Sequence, residues 1–150
     1  MGTRLSTSID IDAAPERVWR VLTDLAAYPD WNPFITRAEG EVRPGGRLTL
    51  RLQPVGGRGV TIRPTVLEAE PGRRLRWLGT LGVRGLFDGE HTFTITDRDG
   101  GVRLDQDERF RGLLVPVLAG SLRRHTLPAF QAMNEALKQR VERTPADRPG

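Results

Sequence analysis

The chain has 150 residues and no cysteine, which excludes disulfides and thiol catalysis. Its net charge is +4, but the arginines are interleaved with carboxylates along the chain, so nucleic-acid binding is not expected. No segment approaches the roughly 20 apolar residues of a membrane-spanning helix, and the start, MGTRLSTSIDID, has no apolar run resembling a signal peptide. The cytoplasm is therefore the expected location.

The first segments predict a strand followed by two short helices. Residues 5–11, LSTSIDI, alternate between apolar and polar positions, as a half-buried strand does. Residues 15–25 place Val18 and Leu22 on one apolar helical face, with Pro15 suited to the first turn. In YPDWNPF, which follows, two prolines limit the chain to a short turn of helix.

The middle of the chain changes to a period of two, typical of strands separated by Pro-Gly and Gly-Gly turns. Because the segments follow one another closely, most are expected to pair as an antiparallel meander. With the first strand they make seven. The predicted strands lie near residues 35–42, 46–53, 59–68, 73–80, 87–97 and 101–111.

The last part of the chain predicts one long helix. Its apolar stripe repeats at helical spacing. Pro128 does not suit a helix interior, so the helix should be disturbed about one turn upstream. The final residues, 144–150, are expected to be disordered, which leaves 1–143 as a single domain. The stripe comprises Val115, Leu118, Ala119, Leu122, Thr126, Phe130, Met133, Leu137 and Val141.

These elements and several short motifs resemble the SRPBCC superfamily, the helix-grip group that includes START domains and birch-pollen-allergen-like proteins. The motifs APERVW, YPDWNPF, GEHTF and DQDERFRGLL are most similar to small bacterial members of its polyketide cyclase/dehydrase branch. The resemblance implies an α+β helix-grip fold, in which a seven-stranded curved antiparallel sheet wraps around the long C-terminal helix and two short helices follow strand 1. Such an arrangement leaves room for an internal cavity.

Two polar side chains are predicted to face the interior from neighbouring strands. In FDGEHTFTI the odd positions, Phe87, His91, Phe93 and Ile95, share one side of a strand. In the next strand the odd positions from 103 to 111 are all charged, so the even positions should face inward. These even positions are Val102, Leu104, Gln106, Glu108 and Phe110.

An inward His91–Glu108 pair, with Gln106 nearby, has three interpretations. The two side chains could bind the polar end of a ligand, or they could exchange a proton with it as catalytic groups. Alternatively, His91 donates to Glu108 or to a backbone carbonyl and only completes the core. Metal binding needs three or four convergent ligands and this pair supplies two at most, so neither a metal nor another cofactor is expected.

Further residues are predicted to line the cavity. Trp77 should form part of its wall. Trp31 should either close its mouth or plug the core beneath the short helix. The full set of predicted ligand-binding residues is Trp31, Trp77, Phe87, His91, Phe93, Gln106, Glu108, Phe110, Leu118, Leu122, Phe130 and Met133.

Three functions fit this sequence. The first is binding of a small hydrophobic, aromatic or lipid-like molecule in the cavity. The second is a metal-free cyclase, aromatase or dehydratase that uses His91 and Glu108 for proton transfer. The third is a protein-interaction module whose cavity has collapsed. A fold of this kind does not choose among them. The oligomeric state is left open between a monomer and a homodimer.

Overall fold

The computed structural model describes residues 2–143, which form an α+β helix-grip-like fold. The predicted tail at 144–150 lies outside the described residues. The strands are β1 (Thr3–Ile11), β2 (Ile35–Gly40), β3 (Leu48–Leu52), β4 (Val60–Ile62), β5 (Thr65–Glu70), β6 (Arg74–Thr80), β7 (Asp88–Arg98) and β8 (Gly101–Arg111). The α-helices are α1 (Pro15–Thr23), α2 (Tyr28–Trp31), α3 (Val115–Ser121) and α4 (Leu127–Arg143).

The strands form two antiparallel sheets, so the prediction of one seven-stranded sheet is wrong. The larger sheet has the order β1-β8-β7-β6-β5, and the smaller has the order β2-β3-β4. The predicted strand 59–68 is divided at Pro64, because proline has no N–H to donate to a strand ladder. The Pro64 carbonyl accepts from Leu48 N (2.9 Å), and a single bridge joins Arg47 to Thr65. The chain therefore passes from one sheet to the other at this proline.

Two short helices follow β1, as predicted. In α1, Pro15 occupies the first turn, and Val18 and Leu22 are fully buried. Tyr28, at the start of α2, is also fully buried and donates its hydroxyl hydrogen to the Leu22 carbonyl. Burial raises the pKa of Tyr28, and Asp24 adds to the rise. The phenol therefore remains a neutral donor that ties the two helices together.

The C-terminal helix is interrupted one turn before Pro128, which confirms the predicted disturbance. A π-helical segment, Leu122–Thr126, separates α3 from α4. Pro128 cannot donate to the preceding turn, and π-bulges commonly absorb such a missing hydrogen bond. Beyond it, α4 buries Phe130, Met133 and Leu137 in the core. No helix within residues 2–143 is both long enough and apolar enough to cross a bilayer.

Candidate functional site

The site is positioned by the register of three neighbouring strands, β6, β7 and β8. His91 on β7 lies opposite Glu108 on β8 and opposite Trp77 on β6. Two residues further along β7, and so on the same face, Phe93 lies opposite Gln106. No bulge interrupts the pairing of β7 with β8, so the inward-facing register predicted for both strands is confirmed.

His91 is enclosed by aromatic rings. Its imidazole stacks on Trp77, with ring centroids 5.2 Å apart and an interplanar angle of 15°. Phe93 lies at 4.8 Å, and Phe130 approaches edge-on at 5.0 Å. The His91 side chain is only 3% exposed.

Both ring nitrogens of His91 have polar partners. Nδ1 lies 2.8 Å from Oε1 of Glu108, and Nε2 lies 2.9 Å from Oε1 of Gln106. Gln106 is fully buried, and its Nε2 donates to the Phe130 carbonyl (3.3 Å) and to Asn134 Oδ1 (2.6 Å). The imidazole is therefore held in one orientation by two hydrogen bonds and three rings.

The backbone carbonyl of Phe130 fixes where the hydrogens lie. A carbonyl only accepts, so the Gln106 amide must turn its NH₂ group toward Phe130 and its oxygen toward His91. His91 Nε2 must then carry a hydrogen. The remaining contact, between Nδ1 and the Glu108 carboxyl, contains one further proton, because two bare acceptors at 2.8 Å would repel. One proton therefore lies between His91 Nδ1 and Glu108 Oε1.

The polar network continues to the first strand. Asn134 Nδ2 donates to Thr7 Oγ1 (2.8 Å), and the Thr7 hydroxyl donates to the Gln106 backbone carbonyl (3.1 Å). Asn134 was not predicted from the sequence. Its spacing could have indicated it, since it lies four residues after Phe130 and therefore on the same helical face. The network joins β1, β7, β8 and α4 around His91.

A cavity of about 180 Å³ lies beside this network. It is lined by apolar side chains from both sheets, from the turn before β2 and from the π-helical segment, including Phe34, Leu52, Val60, Ile62 and Leu122. Among the described residues that line it, Glu108 alone is charged. Apart from Glu108, Thr80 and Thr126, the lining side chains are apolar, which suits a small apolar molecule that has a polar end.

Glu108 presents its second oxygen to this cavity. Oε1 is occupied by His91, whereas Oε2 makes no hydrogen bond to any of residues 2–143. Oε2 lies against Gly89, where a Cβ atom would come within 2.1 Å of it. Gly89 also lines the cavity, so the absence of a side chain there makes room for the carboxylate. The free lone pairs of Oε2 can accept a hydrogen bond or a proton from a bound molecule.

The structure separates the predicted ligand-binding residues into two groups. Five line the cavity: Trp77, Phe87, Glu108, Phe110 and Leu122. Seven do not line it, although His91 contacts the lining residue Glu108 and Gln106 contacts His91. These seven are Trp31, His91, Phe93, Gln106, Leu118, Phe130 and Met133.

Trp31 and Leu118 lie away from the cavity. Trp31 is half-buried and packs against the ring of Tyr28, with centroids 5.1 Å apart. This agrees with the core-plug interpretation rather than the mouth-closing one. Beside it, Asn32 Oδ1 accepts from Phe34 N (2.9 Å) and Ile35 N (2.8 Å), which fixes the turn into β2. Leu118 lies before the π-helical segment and is 37% exposed.

The described residues offer no metal site. Within 2–143, no group of three or more His, Asp or Glu side chains is placed to hold an ion.

Residues 2–142 match a family described as polyketide cyclase/dehydrase and lipid transport. The chain belongs to this family. The match spans all but one of the described residues, and it confirms the resemblance to the SRPBCC superfamily inferred from the sequence motifs. A search of curated proteins finds no match.

Solved structures of other proteins share the fold at low sequence identity. The protein TTHA0849 from Thermus thermophilus aligns with a TM-score of 0.77 at 18% identity, over 96% of this chain and 100% of its own. The di-domain ARO/CYC StfQ from the steffimycin biosynthetic pathway aligns with a TM-score of 0.77 at 15% identity, over 95% of this chain and 52% of its own. Ara h 8.0201 aligns with a TM-score of 0.68 at 12% identity, over 95% of this chain and 99% of its own. At such identities these similarities support the fold and do not assign an activity.

Proposed function

We propose that this protein binds a small, mainly apolar molecule that has one hydrogen-bond donor at its polar end. The observation that carries this proposal is the cavity in which Glu108 is the one charged group, with its Oε2 free and its Oε1 held by His91. Binding lowers the free energy when the apolar walls exchange water for an apolar ligand. The carboxylate then selects a hydroxyl or enol group, since a donor compensates the desolvated oxygen.

Filling the cavity is expected to weaken binding without unfolding the protein. Val60 lines the cavity from β4 and is half-buried, and a strand tolerates tryptophan well. Val60→Trp should therefore weaken the binding of 2-naphthol by at least about tenfold, which corresponds to about 1.4 kcal/mol. Titration calorimetry measures the affinity, and native mass spectrometry of the purified wild-type protein tests for a co-purifying ligand.

The matched control is Leu67→Trp, because Leu67 is an exposed residue on β5 that does not line the cavity. This variant should bind 2-naphthol as the wild type does. If Val60→Trp bound 2-naphthol with unchanged affinity while remaining folded, the probe would occupy another site and the proposed cavity function would be wrong.

A second proposal is catalysis of ring closure in the same cavity, and the proton shared by His91 and Glu108 favours it. The Glu108 carboxylate would remove a proton from a carbon that lies between two carbonyl groups of a poly-β-ketone. The resulting enolate carbon would form a bond to a second, ketone carbon of the same molecule. The new alkoxide would regain the proton through Glu108, and loss of water would complete the step. His91 would hold the Glu108 carboxylate in place and keep the proton that lies between Nδ1 and Oε1.

Catalysis is tested by separating turnover from affinity. Glu108→Gln and His91→Ala should abolish formation of the cyclised product from a linear poly-β-ketone, detected by absorbance. Both variants should keep their affinity for that substrate within about tenfold, or about 1.4 kcal/mol. An equal loss of turnover and affinity would assign the pair an anchoring role, and unchanged turnover in both variants would contradict the catalytic proposal.

A further inference from the structure

Three surface segments surround the opening of the cavity, and together we name them the rim: residues 53–59, 81–87 and 111–124. Each contributes to the cavity lining, through Pro54, Leu81 and Leu122 respectively. Leu81 both lines the cavity and is exposed, which places the opening at the rim.

Hydrogen bonds hold the rim segments together. His125, just beyond the third segment, donates from Nδ1 to the Val55 carbonyl (2.7 Å), and Val55 N donates to the His125 carbonyl (2.9 Å). Leu113 N donates to the Gly85 carbonyl (3.1 Å). Gly112 permits this close approach, because a Cβ atom there would lie 2.3 Å from the Leu86 carbonyl oxygen. The rim is therefore one connected surface.

The rim collects the exposed apolar side chains of the described residues. Eight large hydrophobic residues are exposed within 2–143, and seven of them lie on the rim. Val83, Leu113 and Val117 are the most exposed, at 72%, 82% and 79%. Isolated exposed apolar residues are ordinary, whereas a cluster at a cavity opening indicates an interaction surface.

The rim is also positively charged, and its three segments contain no aspartate or glutamate. Elsewhere on the surface, arginines pair with carboxylates, as in Arg76–Glu90 and Arg98–Asp10. Asp88, the residue that follows the second segment, lies opposite Arg111 on β8, and its carboxylate accepts from Gly85 N (3.0 Å) and from the Thr80 hydroxyl (2.8 Å). The exposed arginines of the rim are Arg58, Arg84, Arg111, Arg123 and Arg124, and within residues 2–143 none of them forms an ion pair.

We propose that the rim docks on an anionic phospholipid bilayer and that the cavity exchanges its ligand there. The aliphatic tips of the rim would enter the boundary between headgroups and acyl chains, while the arginines would contact anionic headgroups. A bilayer fits better than an acidic protein, because the most exposed rim side chains, Val83, Leu113 and Val117, are all aliphatic and lie on two different segments of the rim. An acidic protein partner would have to supply a separate pocket for each tip. The exchange step rests on the ligand-binding function proposed above, whereas the docking surface does not.

Vesicle binding tests this inference with three groups of variants. Wild-type protein should co-sediment with phosphatidylcholine vesicles that contain about 30% phosphatidylglycerol, and far less with phosphatidylcholine alone, because anionic lipid attracts the arginines. The combined change Val83→Ser, Leu113→Ser and Val117→Ser should weaken binding at least tenfold. The combined change Arg84→Gln, Arg123→Gln and Arg124→Gln should do the same. The matched controls Leu67→Ser and Arg47→Gln, which change an exposed leucine and an exposed arginine outside the rim, should bind as the wild type does.

Several outcomes would overturn docking. One is the absence of wild-type binding to anionic vesicles in dilute salt. Another is unchanged binding by the serine variant while the glutamine variant loses it, which would show that a basic surface merely adsorbs to anions. A third is rim-dependent binding to polyglutamate without binding to vesicles, which would favour an acidic protein partner instead.

Binding of 2-naphthol in vesicle-free solution separates this inference from the proposed function. Rim variants should retain 2-naphthol affinity, since the substituted residues do not line the cavity. If vesicle binding fails while 2-naphthol still binds, the docking inference falls and the cavity function stands. If rim-dependent vesicle binding persists while 2-naphthol does not bind, the docking surface stands and both the cavity function and the exchange step fall.

Discussion

Gln106→Leu is expected to lower the free energy of unfolding by about 3 kcal/mol, although leucine is nearly the same size as glutamine. Gln106 is fully buried and bonds His91 Nε2, Asn134 Oδ1 and the Phe130 carbonyl. Leucine would leave these groups without a partner, and each buried unsatisfied group costs about 1–3 kcal/mol. Urea denaturation measures the change, with the slope of the transition checked for constancy.

Two further variants show whether the loss comes from unsatisfied polar groups. Gln131→Leu changes an exposed glutamine on α4 and should alter stability by no more than about 0.5 kcal/mol. Adding His91→Phe to Gln106→Leu removes the stranded Nε2–H and keeps an aromatic ring beside Trp77. The double variant should therefore recover at least about 1 kcal/mol relative to additivity. Additive losses, or a Gln106→Leu variant as stable as the wild type, would show that the network contributes little.

The inward-facing pair of His91 and Glu108 was predictable, because the alternating charges on β8 show which face of that strand is buried and so also fix which residues of the paired strand β7 face inward. The odd positions of β8 are all charged from Arg103 to Arg111, and a sheet with one buried face must turn such a row outward. Gln106 and Glu108 then face inward, and the hairpin pairing places Glu108 opposite His91. The inference required only period two and an uninterrupted ladder, and both hold.

The sequence could not predict which inward-facing residues line the cavity. Alternation shows which face of the sheet a side chain occupies, but it does not show whether that part of the strand borders the cavity or the filled core. Phe93 and Gln106 face inward as expected, but neither lines the cavity. Phe93 packs against Trp77 and His91, and Gln106 donates to the Phe130 carbonyl. The boundary between filled core and cavity depends on how the small sheet meets the large one at Pro64, and a period-two pattern does not contain this geometry.

The helical stripe was predicted with one continuous period, and the π-helical segment breaks it. A π turn contains an extra residue, which rotates the following helix relative to the preceding one. Before the segment, Val115 is fully buried and Leu118 is exposed, whereas Phe130 and Met133 after it are both fully buried. Pro128 indicated that an irregularity would occur, but not that it would change the phase of the stripe.

The sequence did not indicate the rim, because the rim combines segments that are far apart in the chain. Along the whole chain the arginines are interleaved with carboxylates, which favoured ordinary solvated surfaces. The fold brings together three distant segments that happen to lack acidic residues. Their combined charge becomes apparent only when the cavity opening shows that they are neighbours.

Wild-type protein is expected to bind 2-naphthol at least about tenfold more tightly than naphthalene. The hydroxyl group can donate to Glu108 Oε2, and a hydrogen bond to a charged group contributes about 1.5–3 kcal/mol. Glu108→Gln should reduce this preference to about threefold or less, because the neutral amide forms a weaker hydrogen bond. Titration calorimetry of both ligands measures the preference, and thermal unfolding checks that each variant is folded.

Gly89→Ala provides the sharper variant, because it moves the carboxylate without changing its charge. The new Cβ atom would lie 2.1 Å from Oε2, so the Glu108 side chain must shift away from its present position. The preference for 2-naphthol should fall in this variant as well. Glu90→Gln is the matched control. Glu90 follows Gly89 on β7 but faces the opposite side of the sheet, where it pairs with Arg76 on β6, so its change should leave the preference unchanged. A preference for 2-naphthol that survived both Glu108→Gln and Gly89→Ala would assign the polar anchor to another group. A preference lost equally in Glu90→Gln would reflect the overall charge of the protein rather than the geometry of Glu108.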